Sequence, residues 1–276
     1  GMVPEIANEK RKHSEKENSY PVELVSYGHP KSILSEAYRN IRTSILLSFS
    51  KHPPKKIVVT SPSPLEGKTT TMINTSISLS QTGARVLMID ADMRKPRVHK
   101  IFNNGISDKT KNGVGLSNFL SGHTNLWSVI HKSTLQNLYY IPSGPIPPNP
   151  AELLGSNLFK EMMEALSERF DHIVIDSPPV VGFADSVILA SVSDGVMLVV
   201  LGGKTSKEAL QRAKEAISQV ETKILGVVIN RVDLRRNEYG YHYYRYYYSY
   251  GEDGKKKKKI PHLSTKKDMP REEAVQ

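Results

Sequence analysis

Ile57-Val58-Val59-Thr60-Ser61-Pro62-Ser63-Pro64-Leu65-Glu66-Gly67-Lys68-Thr69-Thr70 carries an apolar strand into a turn and then into a segment rich in small residues. That order reads as a phosphate-binding loop. Ser63, Pro64, Leu65, Glu66, Gly67, Lys68, Thr69 and Thr70 would wrap nucleotide phosphates with backbone N–H groups and a helix N-terminus. Lys68 would reach the β and γ phosphates, Thr69 would ligate Mg²⁺, and Gly67 would allow close backbone approach. The usual pattern has a glycine five residues before Gly67, where this chain has Pro62. Gly-Lys-Thr alone is a weak signal, so the weight falls on its setting of strand before and helix after.

The same alternation runs outward along the chain. Strands are expected at Ile57 to Thr60, Val86 to Ala91, Leu138 to Ile141, Ile173 to Ser177, Val196 to Leu201 and Ile224 to Asn230. Helical composition fills Thr69 to Gln81, Leu158 to Arg169, Ala184 to Ser191 and Ser206 to Val220. Apolar β-branched runs alternating with helices imply an α/β fold, a doubly wound and mostly parallel sheet with right-handed crossovers. Ahead of it, Ser32 or Ser35 caps a helix running to about Phe49, with Leu34, Ala37, Tyr38, Ile41 and Ile45 on one stripe. Residues 1–30 are polar and broken by Pro4, Pro21 and Pro30, and read as a linker or loosely packed arm. Gly1 before Met2 reads as an expression scar. The domain is expected over 31–234 and a tail over 235–276.

Ligands in such sheets sit at strand C-terminal ends. Ile89-Asp90-Ala91-Asp92-Met93-Arg94 places two carboxylates there, two residues apart and of one strand parity. Ile175-Asp176-Ser177-Pro178-Pro179 supplies a third acid after another apolar strand. A buried carboxylate cluster needs a cation, so Thr69, Asp92 and Asp176 are the candidate Mg²⁺ ligands and Lys68, Asp90 and Asp92 the candidate catalytic groups. Asn230, at the end of the last expected strand, is a candidate for hydrogen bonding to adenine.

Composition narrows the choice. The 276 residues contain no cysteine, which excludes disulfides, thiolate metal sites, iron–sulfur clusters and a cysteine nucleophile. No apolar run reaches membrane-span length and no secretory signal opens the chain, so a soluble chain is expected. The formal charge is +10, and part of the excess lies in Lys255 to Lys259. Eight of the thirteen tyrosines are Tyr239, Tyr241, Tyr243, Tyr244, Tyr246, Tyr247, Tyr248 and Tyr250, in a stretch from Arg235 to Lys259 without one aliphatic residue. Such a segment builds no core and reads as a mobile tail. Stacking on single-stranded nucleic acid is a lower-ranked reading of it.

Together these motifs resemble the bacterial tyrosine kinases of capsular and exopolysaccharide biosynthesis. The resemblance covers roughly Pro30 to Tyr250 and includes the loop Pro145 to Leu153. It implies a deviant P-loop NTPase fold, similar to that of MinD and ParA proteins, with ATP and Mg²⁺ bound. It further implies that the tyrosine cluster is phosphorylated by a neighbouring copy. Glu36, Arg39 and Arg42 match the family's Glu-x-x-Arg-x-x-Arg motif, and the resemblance makes them an interface closing an octameric ring. The implied partners are a membrane-spanning polysaccharide co-polymerase region, fused upstream or separate as an adaptor, and a cognate tyrosine phosphatase. The implied location is the cytoplasmic face of the inner membrane. One of Asp90 and Asp92 would accept or orient the phenolic proton while the other, with Asp176, organises Mg²⁺. The rival reading is a ParA/MinD-like nucleotide-switch ATPase acting on membrane or DNA. That class usually carries an extra lysine where this chain has Pro62.

Overall fold

The computed structural model describes residues 1–5, 20–102 and 113–233. Strands β1 (Met2–Pro4), β2 (Lys56–Thr60), β3 (Val86–Asp90), β4 (His131–Lys132), β5 (Leu138–Ile141), β6 (His172–Asp176), β7 (Gly195–Leu201) and β8 (Lys223–Val232) form one sheet in the order β1-β8-β7-β2-β6-β3-β5-β4. Every pairing is parallel except that of the two-residue edge strand β4 with β5. Helices α1 (Val25–Gly28), α2 (Ile33–Leu46), α3 (Lys68–Ser80), α4 (Val98–Phe102), α5 (Leu116–Leu120), α6 (Pro150–Leu154), α7 (Asn157–Arg169), α8 (Asp185–Ser191) and α9 (Lys207–Ile217) lie between and before the strands.

Strand parity divides the core in two. Ile57, Val59, Val86, Met88, Val174, Met197 and Val199 pack with Tyr38, Ile41 and Ile45 of α2 and Met72, Ile73 and Ile77 of α3. Their neighbours Val58, Leu87, Ile89, Ile173, Ile175, Val196 and Leu198 face the other way, onto Phe159, Met162 and Met163 of α7, Leu189 of α8, and Ala213 and Ile217 of α9. Both sheet faces are therefore covered, as near-continuous apolar strands require. The chain leaves β2 through α3 on one face and leaves β6 through α8 on the other, toward opposite edges of the sheet. This is a topological switch point, and the crevice it opens lies at the C-terminal ends of β2 and β6.

Helix α3 is buried almost all round, including Thr71, Thr75, Ser76 and Ser78. Small residues fit the close packing of a helix with no solvent face; the Ser76 hydroxyl bonds back to the Met72 carbonyl at 2.8 Å, while those of Thr75 and Ser78 are buried without a hydrogen-bond partner. Ser32 caps α2 by accepting the Ser35 N–H.

Two segments read as a loose arm are tied in. Met2–Pro4 extends the sheet beside β8. Asn74 of α3 accepts the Ser26 N–H at 2.9 Å and donates to the Val22 carbonyl at 2.9 Å, which fixes the turn before α2. Three residues are too few to show strand periodicity, and an edge position tolerates Pro4. Among the described residues no helix is long and apolar enough to cross a membrane. The tail tyrosines and the lysine run lie outside the described residues.

Candidate active site

The turn from β2 into α3 is shaped by two left-handed residues, Leu65 at φ 65° and Gly67 at φ 94°. Gly67 is required twice over, because a Cβ there would also stand 2.0 Å from Nδ2 of Asn230. No side chain caps α3, so its first backbone N–H groups have no acceptor within the helix and point out of its N-terminus. The first bond of the ladder runs from Thr71 N–H to the Gly67 carbonyl, at 2.9 Å. That geometry leaves backbone donors at the head of α3 that can receive an anion.

The loop is held from beneath by side chains. Glu66, 3% exposed, turns its carboxylate away from the cradle, accepting the Ser63 N–H at 2.8 Å and the Thr205 hydroxyl. Thr205 in turn accepts the Leu201 N–H at the end of β7. Asn230 donates from Nδ2 to the Glu66 carbonyl at 2.9 Å and accepts the Arg231 N–H at Oδ1. Asn230 thus braces the phosphate loop from β8, and the Glu66 carboxylate holds the loop from beneath.

Two of the three acids stand side by side. Asp90 and Asp176 are register partners on the adjacent strands β3 and β6. Asp176 accepts the Thr69 hydroxyl at 2.6 Å. Asp90 accepts the Arg97 and Val98 N–H groups on one oxygen, each at 3.0 Å. Asp92 lies beyond the strand, in the turn that follows, where it accepts the Lys95 N–H at 3.0 Å. Its charge nevertheless acts on both other acids. Lys68, 8% exposed, faces the same cluster and draws the Asp176 carboxyl down.

Burial is the larger effect. It lifts the Asp176 carboxyl to about 6 despite Lys68 and the Thr69 hydrogen bond. It lifts Asp90 well above the carboxylate range, with the Asp176 charge adding to the rise and the two backbone N–H groups opposing it. One oxygen of each, Oδ1 of Asp90 and Oδ1 of Asp176, is buried without a hydrogen-bond partner. The Thr69 hydroxyl and the Asp176 carboxylate offer hard oxygen donors of the kind a divalent cation takes. Among the described residues no three acidic or histidine side chains enclose a metal unaided.

One assembly at the mouth was not read from the sequence. Arg94 makes a two-pronged ion pair with Asp185, Nε to Oδ2 at 2.9 Å and Nη2 to Oδ1 at 3.0 Å, and its guanidinium lies over the Phe183 ring at 4.6 Å. Its only sequence signal was an arginine two residues after Asp92.

A family model described as an AAA domain matches residues 55–229. Over 220 residues the chain is 40% identical to the tyrosine-protein kinase YwqD of Bacillus subtilis (strain 168), covering 79% of this chain and 90% of that protein. This chain belongs to the bacterial tyrosine kinases. The kinase is also 36% identical over 224 residues to the tyrosine-protein kinase CpsD of Streptococcus agalactiae, covering 81% of this chain and 91% of that one. Among solved structures it is similar to the chimerical protein CapA2B2, with a TM-score of 0.74 and 31% identity over 84% of this chain and 93% of that chain. The kinase shares its fold alone with the septum site-determining protein MinD of Pyrococcus horikoshii OT3, solved with Mg-ADP, at a TM-score of 0.56 and 21% identity over 67% and 72% of the two chains.

Proposed function

We infer that this kinase transfers the γ-phosphoryl group of ATP to tyrosines of the cluster between Tyr239 and Tyr250 on a neighbouring copy, and that it serves capsular or exopolysaccharide export. The observation that carries the chemistry is the meeting of Lys68, Thr69, Asp90, Asp92 and Asp176 at one switch point. The names of the relatives as tyrosine kinases support the acceptor. A bound Mg²⁺, held by Thr69, Asp92 and Asp176, would neutralise phosphate charge. Lys68 and the α3 N-terminus orient the triphosphate and hold the charge that develops on it.

A tyrosine hydroxyl, with a pKa of about 10, is a poor nucleophile until its proton has somewhere to go. Asp90 supplies that place. Its raised proton affinity and free Oδ1 suit it to take the phenolic proton as the tyrosine oxygen bonds to the γ-phosphorus and the bond to the β-phosphate oxygen breaks. Incubation with ATP and Mg²⁺, followed by mass spectrometry of residues 234–276, is expected to show phosphate on several of the eight tail tyrosines. ATP hydrolysis with unmodified tyrosines would favour the MinD-like switch instead.

The proposed assembly is a ring, taken as an octamer, docked on a membrane-spanning co-polymerase partner at the inner membrane and reset by a tyrosine phosphatase. Within one protomer Arg39 pairs with Glu36 and reaches the Pro30 carbonyl at 2.7 Å, while Arg42 donates to the Ser78 carbonyl at 3.0 Å. These contacts fix the α2 face that would meet a neighbour. Replacing Glu36, Arg39 and Arg42 together by alanine is expected to reduce the sedimenting mass to that of a monomer. An unchanged mass would remove the ring.

A further inference from the structure

The exposed aromatic beside the acids is unexplained by folding. Phe183 is 37% exposed, and Val181 on the same loop is 38% exposed. Leu65, at the tip of the phosphate loop, is 83% exposed, and Ile146, beyond the C-terminal end of β5, is 65% exposed. All four follow C-terminal ends of the parallel strands β2, β6 and β5, at the edge of the sheet that holds the nucleotide cradle.

Phe183 is the one held in place. It lies on the segment joining Asp176 to α8, and the guanidinium over its ring belongs to Arg94, which follows Asp92 by two residues. Arg94 is locked by both prongs to Asp185, which is 0% exposed, and the next residue, Ser186, donates to the Pro178 carbonyl at 2.6 Å. An arginine shielding a surface ring is ordinary, but this one ties the ring between two of the acidic strand ends. The free part of the ring cannot hydrogen bond. What it offers at that mouth is a flat apolar wall, which suits another aromatic ring and gives nothing to a serine or threonine side chain.

We propose that Phe183, steadied by Arg94 and Asp185, is the subsite for the acceptor's aromatic ring, and that its occupant is a tail tyrosine from residues 239–250 of a second copy. The tail lies outside the described residues and carries most of the chain's tyrosines. The inference rests on the phosphotransfer reading above and adds to it the means by which tyrosine is chosen.

The test uses full-length protein, with isotopically labelled Lys68→Met chain as acceptor and unlabelled donors, so that mass spectrometry separates phosphate on the two. Phe183→Ala in the donor is expected to raise the KM for the acceptor about tenfold. Its Kd for ADP and its Tm should stay at wild-type values, and Phe183→Tyr should restore the KM. An unchanged KM in Phe183→Ala, or a fall in kcat alone that Phe183→Tyr does not rescue, overturns the subsite. Failure of the wild-type donor to label the acceptor at all would overturn the phosphotransfer reading beneath it, which keeps the two failures apart.

Discussion

Replacing Lys68 by methionine is expected to lower tyrosine phosphorylation on the order of a thousandfold, with the protein still folded. The side chain is almost buried at the start of α3 and faces Asp176. In the low dielectric of that crevice a cation aimed at the triphosphate is worth far more than in water, and methionine keeps the apolar stem while removing the charge. Folding survives because Asp176 has an exit: without Lys68 its carboxyl rises further and takes a proton. Single-turnover transfer from radiolabelled ATP, with circular dichroism as the control for folding, measures the effect. Activity within tenfold of wild type would show that the loop does not bind the transferred phosphate.

Asp90→Asn is expected to slow transfer about a hundredfold or more while making the nucleotide-free protein more stable at neutral pH. The two effects share a cause. A carboxyl raised in the folded state binds its proton more tightly there than in the unfolded chain, so its contribution is favourable at low pH and is lost as pH climbs above the unfolded value of about 4. The Asp176 carboxyl, raised by burial to about 6, works in the same direction. Asparagine keeps an oxygen for the Arg97 and Val98 N–H groups and presents an amide toward the free oxygen of Asp176. At pH 7 the variant should melt about 3 °C or more above wild type, and the gap should close toward pH 4. A lower Tm at pH 7 would mean that the buried acid is compensated in a way the hydrogen bonds do not show.

What the sequence made legible was whatever repeats or stands in line. The six strands expected are short apolar runs whose ends lie within two residues of the observed ones, Leu138 to Ile141 matching at both. The acids were found because Asp90 and Asp176 close such runs and Asp92 follows two residues after the first. Thr69 and Asp176, 107 positions apart, were paired through their separate motifs. What stayed hidden depends on partners that only the fold supplies. Glu66 was read only as part of the phosphate loop, and that its carboxylate bonds Thr205, 139 residues away, could not be seen. Asn230 looked free at a strand end, yet β8 lies where its amide reaches the Glu66 carbonyl. Phe183 gained meaning only when β3 and β6 became neighbours and brought Arg94 beneath Asp185. Strands β1 and β4, three and two residues long, are too short for a period of two to show.

The account rests on transfer between copies, and one mixture tests it most directly. Full-length Lys68→Met chain keeps every tail tyrosine and binds no productive triphosphate. A second full-length chain keeps the phosphate loop but carries phenylalanine at Tyr239, Tyr241, Tyr243, Tyr244, Tyr246, Tyr247, Tyr248 and Tyr250. Each alone should stay unmodified in ATP and Mg²⁺, and mixed together they should place phosphate on the tail of the Lys68→Met chain. A mixture as unmodified as its parts, beside a wild-type chain that does modify its own tail, would contradict transfer between copies.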